Sequence, residues 1–137
     1  MNSMPNKEKS ESFSFIKRMK SFRDAANGIR LLLKFEHNAR IHLLILILVV
    51  IAGFLLKISS TEWIAIVIVS GLVLAGECFN SAVEYLSDRI TPDYDEEIGK
   101  AKDIAAAAVL ISAIVSVITG LIIFIPAVLR VLSYNCG

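Results

Sequence analysis

From Ile104 to Leu129 the chain contains no Asp, Glu, Lys or Arg, a tract longer than the ~20 residues an α-helix needs to cross the hydrocarbon of a bilayer. Few folds accept such a tract. In lipid every backbone amide must find its partner within the protein, so a lone apolar segment of this length crosses as a helix. Two further charge-free tracts, Ile41 to Leu56 and Trp63 to Gly76, precede it. They bring the chain to 55% hydrophobic and 20% charged residues, where a soluble domain carries about 25% charged. This is the composition of a small integral membrane protein, and not of a soluble globular domain, a disordered chain or a nucleic-acid binder. The expected fold is all-α: three transmembrane helices plus an N-terminal amphipathic surface helix, associated as an oligomeric bundle.

A chain of 137 residues has room for one domain. Residues 1–12, rich in Asn, Ser, Lys and Glu, read as a disordered tail. Residues 13–129 read as a single membrane domain, with the surface helix at 13–34 and spans at 40–56, 62–88 and 102–129. Residues 130–137 read as a short external tail. In the surface helix Ile16, Met19, Phe22, Ala26, Ile29 and Leu33 recur at steps of three and four and share one face. Lys17, Arg18, Lys20, Arg23 and Arg30 lie largely off it, which suits a helix in the membrane surface; packing on the protein's own bundle accounts for the face equally well. Gly28 is where this helix is expected to break or kink.

Fourteen basic and thirteen acidic side chains leave a net charge of +1, and their distribution is more telling than their sum. The first forty residues hold nine Lys or Arg against four acids. They are polar and basic and do not read as a secretion signal. The first loop, Lys57 to Glu62, carries one charge of each sign. The positive-inside rule then puts the N-terminus in the cytoplasm, the first loop outside, the acidic stretch Asp88 to Asp103 in the cytoplasm and the C-terminus outside. Trp63 falls at the outer interface. Cys78 and Cys136 make no disulfide framework and read as a packing residue and part of a loose tail. In the third span Ala108, Ser112, Ser116 and Gly120 form a stripe of small residues at steps of four, suited to close helix approach. Three spans bury little of such a stripe, so subunits are expected to associate.

Chemistry concentrates where the second span meets the cytoplasm. Glu77, Asn80, Ser81, Glu84 and Asp88 share one helical face, and ionisable residues within a span are by default functional. At ~1.5 Å rise per residue Glu77 and Glu84 are roughly 10.5 Å apart along the axis, too far for one ion to bridge. Two roles follow. A deep carboxylate held away from water binds protons more readily and works as a general base near neutral pH. A shallower one suits Mg²⁺, which takes oxygen ligands and shares them with phosphates. Glu36 and Arg40, one turn apart before the first span, reach the depth of Glu84, and so do Gly99, Lys100, Ala101, Lys102 and Asp103. Lys102 would neutralise phosphate and Asp103 would accept hydrogen bonds from a ribose, a base or an amine. The set makes a Mg²⁺ and polyphosphate site, and phosphoryl transfer asks mainly for positioning and charge neutralisation.

Blander readings stand beside this one. Taken alone, the Glu/Asn/Ser stripe would also serve to hold an oligomer together through hydrogen bonds or, as the lesser reading, to form an ion or proton pathway. Asp93, Asp95, Glu96 and Glu97 read as a solvated acidic loop, and His37 and His42 as interfacial. There is no P-loop and no protein-kinase glycine loop. Spacing alone leaves the reaction open.

Glu77-Cys78-Phe79-Asn80-Ser81-Ala82-Val83-Glu84, followed by Asp88 and Ala101-Lys102-Asp103, closely resembles the signature of the prokaryotic diacylglycerol kinase family, which includes undecaprenol kinases. The resemblance runs from about Phe13 to Val128 and takes in Gly28 and Phe35-Glu36-His37-Asn38-Ala39-Arg40. Phe79 and Ser87 stand where the family more often has an aliphatic residue. The resemblance implies an ATP-dependent lipid kinase of the bacterial inner membrane, homotrimeric, with sites shared between subunits. By matching position it implies Glu77 as the base for the lipid hydroxyl, and Glu36 and Glu84 as ligands of Mg²⁺ with ATP. It further implies nucleotide contacts from Asn80, Asp88, Lys102, Asp103 and the Asp93-Tyr94-Asp95 loop, with Lys17 contacting both ATP and lipid, and Arg30 and Arg40 at the lipid entry surface. Phe35 to His42, the Glu62-Trp63 pair and the ending Gly120 to Pro126 look more like undecaprenol kinases, so undecaprenol is favoured over diacylglycerol. The competing class is a non-enzymatic membrane oligomer, an ion-conducting or assembly subunit. A channel would show polar faces through the full depth of its helices, whereas Leu43 to Leu56 and Leu121 to Leu129 are apolar on every side.

Overall fold

The computed structural model describes residues 15–90 and 95–135, and every element in them is helical: α1 Phe15–Phe35, α2 His37–Leu55, α3 Ser60–Ile90 and α4 Glu96–Asn135. The segment expected as a disordered tail, together with Phe13, Asp93, Tyr94 and Cys136, lies outside the described residues. α2, α3 and α4 are each long and apolar enough to cross a membrane. Short connections make neighbouring spans antiparallel, so the start of α2, the end of α3 and the start of α4 share one end with α1.

Helix ends follow local chemistry. α1 runs unbroken through Gly28, and the break falls instead at Glu36, whose extended backbone (φ −93°, ψ 117°) turns the chain from α1 into α2. At the other end of α2 the amide of Ile58 donates to the Gly53 carbonyl at 3.1 Å and that of Lys57 to Phe54 at 3.3 Å. This is the Schellman closure, with Lys57 at φ 52° in the left-handed position usually given to glycine. Ser59 then opens α3 with a capping box: its amide donates to Glu62 Oε2 at 2.6 Å and its hydroxyl accepts from the Glu62 amide at 3.3 Å. Asp95 opens α4, with Oδ1 accepting from the amides of Glu97 at 2.9 Å and Ile98 at 3.0 Å. α4 therefore starts before the expected Lys102, because its charged first turns are good helix formers and are capped. It also continues through Pro126 into the stretch expected as a tail.

The main packing is α3 against α4, with α2 laid beside α3. Ile58, Ile66, Ile123 and Ala127 form a buried cluster at the end away from α1, covered by Val49, Leu56, Trp63 and Phe124. Trp63 stacks obliquely on Phe54, ring centres 4.9 Å apart, and closes over Gly53, where an added Cβ would meet the indole at 2.8 Å. Nearer the other end Gly76 packs on Val109 of α4, where an added Cβ would meet Val109 at 3.6 Å, an ordinary contact. Ser116 and Gly120 of the small-residue stripe line a cavity of about 120 Å³ against α3 within the same chain, while Ala108 is exposed. Most large apolar side chains of α2 and α4 remain exposed in the single chain, Leu44, Leu48, Ile111 and Ile122 among them, as a surface covered by lipid or by other subunits requires.

Candidate active site

On α3, Glu77 is 2% exposed and Ser81 4% exposed, while Asn80 and Glu84 are half-buried between them and the helix end. Steps of three and four put all four on the inward face, as the sequence spacing predicts. Among the described residues three buried atoms on this face, Glu77 Oε1, Asn80 Oδ1 and Ser81 Oγ, have no hydrogen-bond partner. Native interiors rarely leave such groups unpaired. Three within two turns mark a place for a polar ligand.

Glu84 Oε1 accepts a hydrogen bond from Asn80 Nδ2 at 3.0 Å, which holds the carboxylate along its own helix. Glu36 joins from the α1–α2 break. Its carboxylate does not cap α2, and its charge reaches Glu77 and Tyr85, whose hydroxyl points toward it. The charge of Glu84 reaches Glu77 and Lys102. Helix α4 adds Lys102, whose Nζ donates to Asp88 Oδ1 at 2.9 Å across the α3–α4 junction. The break at Glu36, the last turns of α3 and the first turns of α4 thus bring Glu36, Glu77, Asn80, Glu84, Asp88 and Lys102 into one neighbourhood.

Other residues singled out from the sequence are placed differently. Asp95 is the N-cap of α4, its Oδ1 taken by two amides. Asp103 is exposed one residue beyond Lys102, and Arg40 is exposed in the first turn of α2. Arg30 and Lys17 are exposed on α1, Lys17 roughly 28 Å of helix axis before Glu36 at ~1.5 Å per residue. Asp93 and Tyr94 lie outside the described residues. One member of the site was read from the sequence as merely interfacial: the Nε2 of His42 on α2 stands 3.2 Å from Glu77 Oε1. It is within ion-pair reach, off the line of a hydrogen bond. Its signal was a second ionisable group inside an apolar span, a rare thing without a role.

Among the described residues no three His, Cys, Asp or Glu side chains converge closely enough to cage a metal. The donor set nonetheless fits Mg²⁺, which is bound through one or two carboxylates and completes its shell with water and substrate phosphates. Glu36 and Glu84 would supply such oxygens, and Asn80, whose Nδ2 donates to Glu84, keeps its Oδ1 without a hydrogen-bond partner among the described residues. Flanking the carboxylate face, Ala25, Gly28, Ile29 and Leu32 of α1 and Cys78, Ser81, Ala82 and Tyr85 of α3 border an open, mostly apolar cleft of about 450 Å³. Polar groups and an apolar cleft therefore meet at the surface helix.

A model of the prokaryotic diacylglycerol kinase family matches residues 23–124. The chain is 38% identical over 107 residues to the undecaprenol kinase of Bacillus subtilis, covering 78% of this chain and 87% of that one. It is 34% identical over 113 residues to the diacylglycerol kinase of Synechocystis sp., covering 82% and 65%. It is 43% identical over 75 residues to the diacylglycerol kinase of Escherichia coli, covering 55% and 61%. With three helices long and apolar enough to span a membrane and a match over most of its length, the chain belongs to the prokaryotic diacylglycerol kinase family and is a lipid kinase.

Proposed function

We propose that this lipid kinase transfers the γ-phosphoryl group of ATP, in the presence of Mg²⁺, to the hydroxyl of a membrane lipid, undecaprenol in preference to diacylglycerol. The observation that carries the reading is the group of buried atoms on α3 without a hydrogen-bond partner among the described residues, Glu77 Oε1, Asn80 Oδ1 and Ser81 Oγ, beside carboxylates from two elements. Glu77 takes the proton of the lipid hydroxyl. The oxygen then attacks the γ-phosphorus, the bond from that phosphorus to the β–γ bridging oxygen breaks, and ADP leaves with the charge. Glu36 and Glu84 would hold Mg²⁺ with the nucleotide, with Asn80 fixing Glu84. When bound, the ion would neutralise phosphate charge as the transfer proceeds. Lys102, with Asp88 and Asp103, would face the phosphates and nucleoside, and Arg30, Arg40 and Lys17 would meet anionic groups at the surface.

In this reading the protein sits in the bacterial cytoplasmic membrane with α1 and the site on the cytoplasmic side, where ATP is found, and the C-terminus outside. Copies of the chain associate as a homotrimer, which would cover exposed apolar faces of α2 and α4. Undecaprenol is favoured because the relative named for it aligns over 87% of its own length. The test is to give purified protein ATP, Mg²⁺ and either lipid. Phosphorylation of undecaprenol at the higher kcat/KM is expected. Faster diacylglycerol phosphorylation would overturn the lipid preference, and no product from either would overturn the activity.

A further inference from the structure

Glu77 is the most deeply buried carboxylate of the site, and three ionisable groups surround it: His42, Glu36 and Glu84. Two of them are carboxylates. His42 is the one able to carry positive charge, and it approaches from a different helix, Nε2 to Oε1 at 3.2 Å. Among the described residues Glu77 Oε1 has no hydrogen-bond partner. The imidazole also lines the cavity formed with Ile45, Leu46, Val73 and Leu74, and its side chain is 24% exposed in the single chain. Two ionisable residues facing each other inside apolar spans are costly to keep there without a function.

We propose that His42 is the positioning residue for Glu77: its Nε2 edge holds Oε1 across the α2–α3 interface and leaves Oε2 to take the proton of the lipid hydroxyl. This rests on the kinase reading above and adds to it a residue from the first span. A carboxylate on a single helix is free to turn about its χ angles, and the histidine supplies the second fixed point. The contact is close but misaligned in the chain alone, and contacts of this kind tighten once the substrate completes the site. Nothing in the role requires His42 to touch lipid or nucleotide.

The test is steady-state kinetics on the full-length protein in lipid for His42→Leu, His42→Gln, Glu77→Gln and the His42→Leu/Glu77→Gln double variant. His42→Leu is expected to lower kcat by about a hundredfold, the cost of a group misplaced by about 1 Å, with KM for ATP unchanged. His42→Gln, which keeps an N–H donor, is expected to recover at least about a tenth of the wild-type kcat. In the Glu77→Gln background, His42→Leu should cost almost nothing more, because residues acting as a unit are not additive. A wild-type kcat in His42→Leu, losses that multiply in the double variant, or a change confined to KM for ATP would overturn the proposal. Should His42→Leu fail to assemble, His42→Gln decides alone, and a fall to the Glu77→Gln level would overturn it. A wild-type protein inactive on both lipids would instead overturn the kinase reading on which this rests.

Discussion

Asn80 offers the sharpest single perturbation of the metal-facing half of the site. Its Nδ2 donates to Glu84 Oε1 at 3.0 Å, and its Oδ1 is buried without a partner. Asn80→Leu keeps the branching and the number of side-chain heavy atoms and removes both polar atoms. A hydrogen bond to a charged group is worth about 1.5–3 kcal/mol, which at about 1.4 kcal/mol per tenfold corresponds to about 10- to 140-fold in an equilibrium constant. The pair is only part-buried, so the lower part of that range applies, about 10- to 30-fold. The affected quantity is the Mg²⁺ concentration giving half-maximal lipid phosphorylation at saturating lipid. Fold stability should not fall with it, since the substitution also removes a buried carbonyl that nothing satisfies. Thermal unfolding in detergent, run on the same samples, separates the two effects. An unchanged Mg²⁺ dependence with kcat intact would refute the idea that Asn80 holds Glu84 for the ion.

Other substitutions probe the scaffold and the nucleotide side. Gly53→Ala puts a Cβ 2.8 Å from the Trp63 indole, and overpacking of about 1–3 kcal/mol should outweigh the gain of about 1 kcal/mol in helix propensity. Its unfolding temperature should drop with specific activity retained, and a rise would contradict the packing. Lys57→Gly relieves a left-handed backbone at φ 52° and should stabilise by about 1 kcal/mol, read as a higher unfolding temperature. A lower one would show that the lysine side chain matters more than its backbone. Lys102→Met removes the cation paired with Asp88 at 2.9 Å and should raise KM for ATP by about tenfold, the worth of one charge-assisted contact; an unchanged KM would remove Lys102 from the nucleotide site.

The spans were legible because lipid imposes a single rule, and Ile104 to Leu129 obeys it without a charge. The inward face of α3 was legible for a similar reason, since Glu77, Asn80, Ser81 and Glu84 recur at helical steps. The break between α1 and α2 was not. It falls at Glu36, a single extended residue between two helices, where no proline or glycine marks it, and Gly28 proved compatible with a continuous helix. Charge density misdirected the start of α4, because Glu96 to Lys102 resembles a solvated loop until Asp95 is recognised as its cap. The Ser59 to Glu62 spacing was a usable capping signal for α3. His42 and Glu77 meet through the way α2 lies against α3, which depends on the closure at Lys57, the capping box at Ser59 and the packing between the two helices. Periodicity within one helix carries no information about that register.

The most direct measurement follows the labelled γ-phosphate of ATP into lipid, with wild-type protein and Glu77→Gln compared at equal folded concentration. Glu77 is 2% exposed, so bulk water has little access to replace it as base. The wild type should label the lipid, and Glu77→Gln should lose about 10²- to 10⁴-fold in rate while still binding ATP. Unlabelled lipid with the wild type, or full labelling with Glu77→Gln, would contradict the account.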